Sequence, residues 1–167
     1  MKTLLNSCLL AAGLLLAQAA LAQTPAVTSK LVAQRVDVVG GKSVLATAEA
    51  GKPGDLVEYS GLYHNVGAKG VEKLVATIPV PVGTTFVAGS TAPARAQASI
   101  DGLHFGPLPL TRSVRQPDGT VRDEAVPLAD YRYVRWELGT LLPGADAVVK
   151  LRVQIDSTVA AAATTRP

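Results

Sequence analysis

The chain is poor in reactive side chains. It has one cysteine, Cys8, and two histidines, His64 and His104, in 167 residues. Cys8 falls inside an N-terminal stretch that reads as a cleaved leader, so the mature chain is expected to have neither a disulfide nor a thiol nucleophile. The histidines stand forty residues apart, with no ligand spacing around them. A metal site would draw on His64, His104, Asp101 and Asn65, and the alternating acids of a calcium loop are absent. No metal or other cofactor is expected. Runs of like charge are also missing. Setting Lys2 aside with the leader leaves 15 basic and 13 acidic residues, interspersed, for a net charge of +2. Nucleic-acid binding normally shows a basic stripe or cluster, so a nucleic-acid partner is not expected.

Sustained helical periodicity is the other absence, and what replaces it is a leader followed by short strands. The opening MKTLLNSCLLAAGLLLAQAALAQ has one basic residue, an apolar Leu/Ala run and a small-residue ending at Ala20-Leu21-Ala22. That is a signal-peptide pattern with cleavage after Ala22, so residues 1–22 are set apart and the protein is expected to be exported. Leu5 before Cys8 allows a lipoprotein reading, but Asn6 and the lack of an apolar region ahead of Cys8 fit it poorly. The run is short for a membrane span, and no later stretch is apolar enough, so the mature chain is expected to have none. The remainder, about 145 residues, is long enough for one packed core.

Residues 23–49 form a polar leader and a first strand or two, with Lys30 to Val39 alternating and Gly40-Gly41 breaking it. The stretch around which the rest is organised is GDLVEYSGLYHNVG, from Gly54 to Gly67. Val57, Tyr59, Gly61 and Tyr63 share one face there, and the tyrosines make it the heavier candidate for the core. Asn65 and Gly67 are expected to end it through their tolerance of positive φ. Further strands are expected at Val71 to Val80, closed by Pro79 and Pro81, and at Thr84 to Ala88. Asp101-Gly102 and Asp118-Gly119 signal hairpins, the second with polar flanks that suggest a projecting one. Tyr131 to Leu138 and Ala147 to Asp156 alternate most clearly, with Trp136 as the core anchor. The last residues, 157–167, read as a flexible tail. About seven short strands with Gly/Pro turns predict an all-β, Ig-like antiparallel β-sandwich.

The residues also carry a resemblance. GDLVEYSGLYHNVG, then IPVPVGTTFVAGS (Ile78 to Ser90), SIDGLHF (Ser99 to Phe105) and RWELGTLLPGADAVVKLRVQI (Arg135 to Ile155) follow one another in order. Together they resemble the conserved repeat domain of bacterial cell-surface and secreted proteins, over residues 50–156. The resemblance implies an Ig-like sandwich and no established activity. Gly61 departs from the β-branched residue usual in the central strand, and Ile78 from a common Asp. Only one unit is found where tandem copies are usual.

Nucleophilic chemistry would need Ser60, Ser90 or Ser99 beside a histidine, and none lies in a Gly-x-Ser-x-Gly elbow. Asp123-Glu124, beside Arg122, is better explained by solvation than by acid–base work. Catalysis is not expected. Two stretches are candidates for recognition. Tyr131, Tyr133 and Arg135 alternate on one side of their strand. They either face solvent, where they would stack on sugar rings or grip a protein, or pack beneath an inserted segment over 107–128. Pro107 to Pro127 carries Arg112, Arg115 and Arg122, and is either a displayed recognition loop or a tolerated insertion. The expected role is a non-catalytic binding or scaffolding module, periplasmic or at the cell surface, with an envelope or surface protein as partner. The alternative is a carbohydrate- or peptidoglycan-binding module that uses an exposed tyrosine face.

Overall fold

A computed structural model describes residues 26–48 and 51–157. The expected leader with Cys8, and the expected tail beyond its first residue, lie outside the described residues. The described residues form eleven strands: β1 (Val27–Val39), β2 (Lys42–Thr47), β3 (Leu56–Asn65), β4 (Val71–Pro79), β5 (Thr84–Phe86), β6 (Gln97–Ser99), β7 (Gly106–Pro107), β8 (Thr111–Arg115), β9 (Val121–Ala125), β10 (Tyr133–Leu141) and β11 (Asp146–Ile155). A single 3₁₀ turn, Leu128–Asp130, interrupts them. The all-β expectation holds. The count exceeds the expected seven because β5, β6 and β7 are very short and the 107–127 segment folds into a hairpin of its own.

Every pairing is antiparallel. One sheet has the order β2-β1-β3-β11-β5, a second β4-β10-β6-β7, and the β8–β9 hairpin stands apart from both. The first two sheets pack face to face as a sandwich. β3 lies in the middle of the larger sheet, paired with β1 over ten positions and with β11 over nine. The larger sheet therefore includes β1 and β2, which lie ahead of residue 50.

The core sits between β3, β11 and β5 on one side and β4, β10 and β6 on the other. Val57, Val149, Leu151, Val153 and Phe86 meet Ala76, Ile78, Val134, Trp136 and Ala98 there. The tyrosine-bearing face of β3 is the inner one, with Tyr59 and Tyr63 packed at the core's margin. Trp136 is the anchor expected, and its Nε1–H donates to the Pro93 carbonyl at 2.8 Å, so burial strands no polar atom.

Two local devices differ from expectation. Asn65 ends β3 by its side chain rather than by positive φ. Its amide donates to the carbonyls of Lys69 (2.9 Å) and Leu141 (2.8 Å), and its Oδ1 accepts from Gly67 N–H at 2.9 Å. Wholly buried, it ties three segments together. Gly61 leaves room for a neighbour: a Cβ there would stand 3.2 Å from both Tyr63 Cε2 and Val149 Cγ2. The Tyr63 ring lies over the space a larger residue would take, which compensates the missing side chain.

Candidate functional site

The outer face of the four-stranded sheet brings Tyr133 and Arg135 together and excludes Tyr131. Tyr133 opposes Pro79 and Ser99, and Arg135 opposes Thr77 and Gln97. Arg135 donates from Nε to Gln97 Oε1 at 2.7 Å, and its guanidinium lies 4.0 Å from the centre of the Phe105 ring. Tyr133 is 36% exposed, and one side of its ring lies against Gly102, where a Cβ would come within 2.9 Å. Tyr131 precedes β10 and is wholly buried. It stacks on Phe86 at 5.5 Å between ring centres, and its hydroxyl accepts from Leu110 N–H at 2.7 Å. Of the two readings, packing beneath the 107–128 segment describes Tyr131, and only Tyr133 and Arg135 share the outer face. The 3₁₀ turn just ahead of β10 takes Tyr131 out of the strand.

The three arginines of the 107–127 segment do not form one patch. Arg112 opposes Glu124 and Arg122 opposes Val114, which puts both on one face of the hairpin. Arg115 opposes Val121 on the other face, with Ser113 and Asp123. The hairpin's root belongs to the sandwich: Val126 is buried in the core, and Leu108, Leu110 and Leu128 pack against it. Only the stretch from Thr111 to Ala125 projects. The Asp118 carboxyl is held below its usual range by Thr120, whose hydroxyl donates at 2.6 Å and whose backbone N–H donates at 2.9 Å.

Polar clusters elsewhere serve the frame. Asp101 accepts from Ser99 Oγ (2.9 Å) and from the N–H groups of Leu103 and His104 (both 2.8 Å), and it pairs with His104 Nδ1 at 2.7 Å. The His104 ring is the largest of the influences that hold the Asp101 carboxyl far below its ordinary range. Asp101 stands between the serine and the histidine, so the group shapes the hairpin turn rather than activating Ser99. On the outer face of the larger sheet, Glu58 is buried and bonded to Lys150 (3.0 Å) and Arg152 (2.9 Å). Burial alone would raise its carboxyl pKa, but the two cations outweigh burial and hold it below the usual value. Further along the same face, His64 pairs with Asp146 at 2.7 Å beside a shallow groove of about 440 Å³. Among the described residues, no group of three His, Cys, Asp or Glu is placed to hold a metal ion. Among them, also, no helix is long and apolar enough to cross a membrane.

The feature that alternation alone did not reveal is the flank formed by β1 and β2. By register, Val39 and Val44 lie on the inner side of the sheet there and Val38 and Leu45 on the outer side. Val38 and Val39 are 70% and 64% exposed, and Leu31, Val44 and Leu45 are also exposed. The signal is present in VDVVGGKSVLA: apolar residues stand at adjacent positions on both sides of the Gly-Gly turn, so both faces of the hairpin carry them. Comparison of the chain with protein-family models, with curated proteins and with solved structures finds no match.

Proposed function

We propose that the chain is an exported, Ig-like β-sandwich module that works by binding a protein in the cell envelope rather than by catalysis. The observation that carries this reading is the β1–β2 flank. Four large apolar residues, Val38, Val39, Val44 and Leu45, stay exposed on a regular hairpin beside a well-filled core, and exposed apolar area of this kind marks contact sites on soluble proteins. The open strand edge next to it supplies backbone donors and acceptors for an added strand. The leader pattern supports export, and the order of the four motifs supports kinship with conserved repeat domains of surface and secreted proteins.

A photo-crosslinking residue placed at Val44, in tagged protein expressed in intact cells, tests the reading. Adducts are expected at Val44 and not at Val121 near the tip of the projecting hairpin. Adducts confined to Val121 would move the site to the arginine hairpin, and none at either position would sink the reading. In that test the hairpin is best shortened within 111–125. Deletion of all of 107–127 would remove Val126 and its neighbours from the core. The glycan alternative rests on Tyr133 without Tyr131, and binding on a glycan array that Tyr133→Ala abolishes would revive it.

A further inference from the structure

We infer that β2 pairs antiparallel with β2 of a second copy of this chain, joining two five-stranded sheets across a two-fold axis at Leu45. The inference rests on the binding reading above and names its partner. Its starting point is the contrast between β2 and every other sheet edge among the described residues. β4 carries Glu72, Lys73 at φ +52, breaks in register, and Pro79. β5 has three residues, and β7 has two, one of them Pro107. β8 and β9 carry Arg112, Arg115, Arg122, Asp123 and Glu124. Each of these is a recognised way to discourage strand addition. β2 has none: its six residues keep unbroken register with β1, and its one charge, Lys42, is at its end.

Symmetry then selects the register. A two-fold axis perpendicular to the sheet preserves faces, so each residue must meet one of its own parity. The two-residue turn at Gly40-Gly41 is closed by Val39 and Lys42, which form a hydrogen-bonded pair. Counting on by twos, Val44 and Ala46 also bond to β1, while Ser43, Leu45 and Thr47 turn their N–H and C=O groups outward. With Leu45 on the axis, Ser43 meets Thr47 of the second copy, Val44 meets Ala46, and Lys42 meets Ala48. No like charges are opposed. The existing cross-strand row Leu56–Val36–Leu45 would continue through the axis into its own copy, giving an unbroken apolar row on one face. Centring on Val44 instead would set Leu45 against Ser43 and put Asp37 at both ends of the row through the axis. A six-residue edge is small beside a standard interface, so the expected affinity is micromolar or weaker.

Sedimentation of the chain purified after export, from low micromolar to near-millimolar concentration, should show a monomer–dimer equilibrium. Leu45→Lys would face two ammonium groups across the axis and should raise the dissociation constant more than about tenfold. Val82→Lys, at a position 91% exposed elsewhere, should not. The register has its own test in oxidative crosslinking. Leu45→Cys places opposed Cα atoms about 5.5 Å apart, within disulfide reach. Val44→Cys meets its counterpart only diagonally, at about 7–8 Å, and should lag. The unsubstituted chain reports any contribution from Cys8. A chain that stays monomeric throughout, or L45K dimerising like its parent, overturns the inference. V44C crosslinking as fast as L45C overturns the register. If the chain is monomeric while a crosslinker at Val44 still captures a different envelope protein in cells, self-pairing falls and the binding reading stands. With neither dimer nor adduct, both fall.

Discussion

Trp136 and Leu45 are both apolar residues on regular antiparallel strands, yet one is 1% exposed and the other 39%. The difference lies in what covers them. β10 has neighbours on both sides and the larger sheet across from it. Leu45 is on the edge strand β2 and on the outer face of the larger sheet, in the row Leu56–Val36–Leu45, where among the described residues no second layer stands over it. One flank of the sandwich is finished within the chain and the other is not. A strand's own pattern says which residues could be buried, and the layers and neighbouring strands around it decide which of them are.

The finished flank should yield to single changes. Trp136→Ala removes the largest buried side chain and leaves the Pro93 carbonyl unpaired, so a loss of about 3–5 kcal/mol in chemical denaturation is expected. A loss under about 1 kcal/mol would mean that the two sheets do not share the core described. Glu58→Gln comes next, at about 2 kcal/mol near neutral pH, because Lys150 and Arg152 lose a charged acceptor. Its signature is in the pH profile. The folded Glu58 pKa lies below that of an ordinary Glu, so the stabilisation is fully present above the unfolded-state value. It is lost as pH falls through the folded-state value. The parent should therefore lose stability across that acid window more steeply than E58Q. Parallel curves would remove Glu58 as the cause.

Much of the finished flank was legible in the sequence. β3, β10 and β11 alternate cleanly, and their inner faces are those with the larger side chains, which is why Trp136 was readable as the anchor. Burial of Tyr131 was legible only as one of two readings, and its separation from Tyr133 not at all, because alternation holds only while the strand continues and a 3₁₀ turn of three residues leaves little periodic trace. The role of Asn65 escaped for a related reason: its effect comes from side-chain bonds to Lys69 and to Leu141, 76 residues away. The unfinished flank was legible as strands, but its exposure depends on β2 being an edge and on which side of the sheet the second layer covers, long-range properties with no local signal. The arginines of the projecting hairpin were easy to pick out. Their split between two faces follows from the register around Asp118-Gly119.

A smaller effect sharpens the boundary between the sandwich and the projecting hairpin. Tyr131→Phe keeps the stacking on Phe86 and removes only the acceptor for Leu110 N–H. It should cost about 1 kcal/mol. It should also speed amide exchange at Leu110 more than at Val149 in the core. Equal acceleration at both sites would show that the hairpin root and the core open as one unit.

The smallest expected effect is the most telling for the comparison. Val38→Thr with Val39→Thr keeps β-branched side chains, and with them strand propensity, while removing apolar surface from the unfinished flank. If nothing covers these residues in the single molecule, dilute protein should change by no more than about 0.5 kcal/mol. At high concentration, the parent gains stability from any species that binds only its folded form, and by mass action that gain grows with concentration. A double variant that covers its flank less well should lag behind. The gap between the two melting temperatures should therefore widen as protein is added. A gap that stays constant from dilute to concentrated solution would mean that Val38 and Val39 act within one chain, and the flank would have to be counted as finished after all.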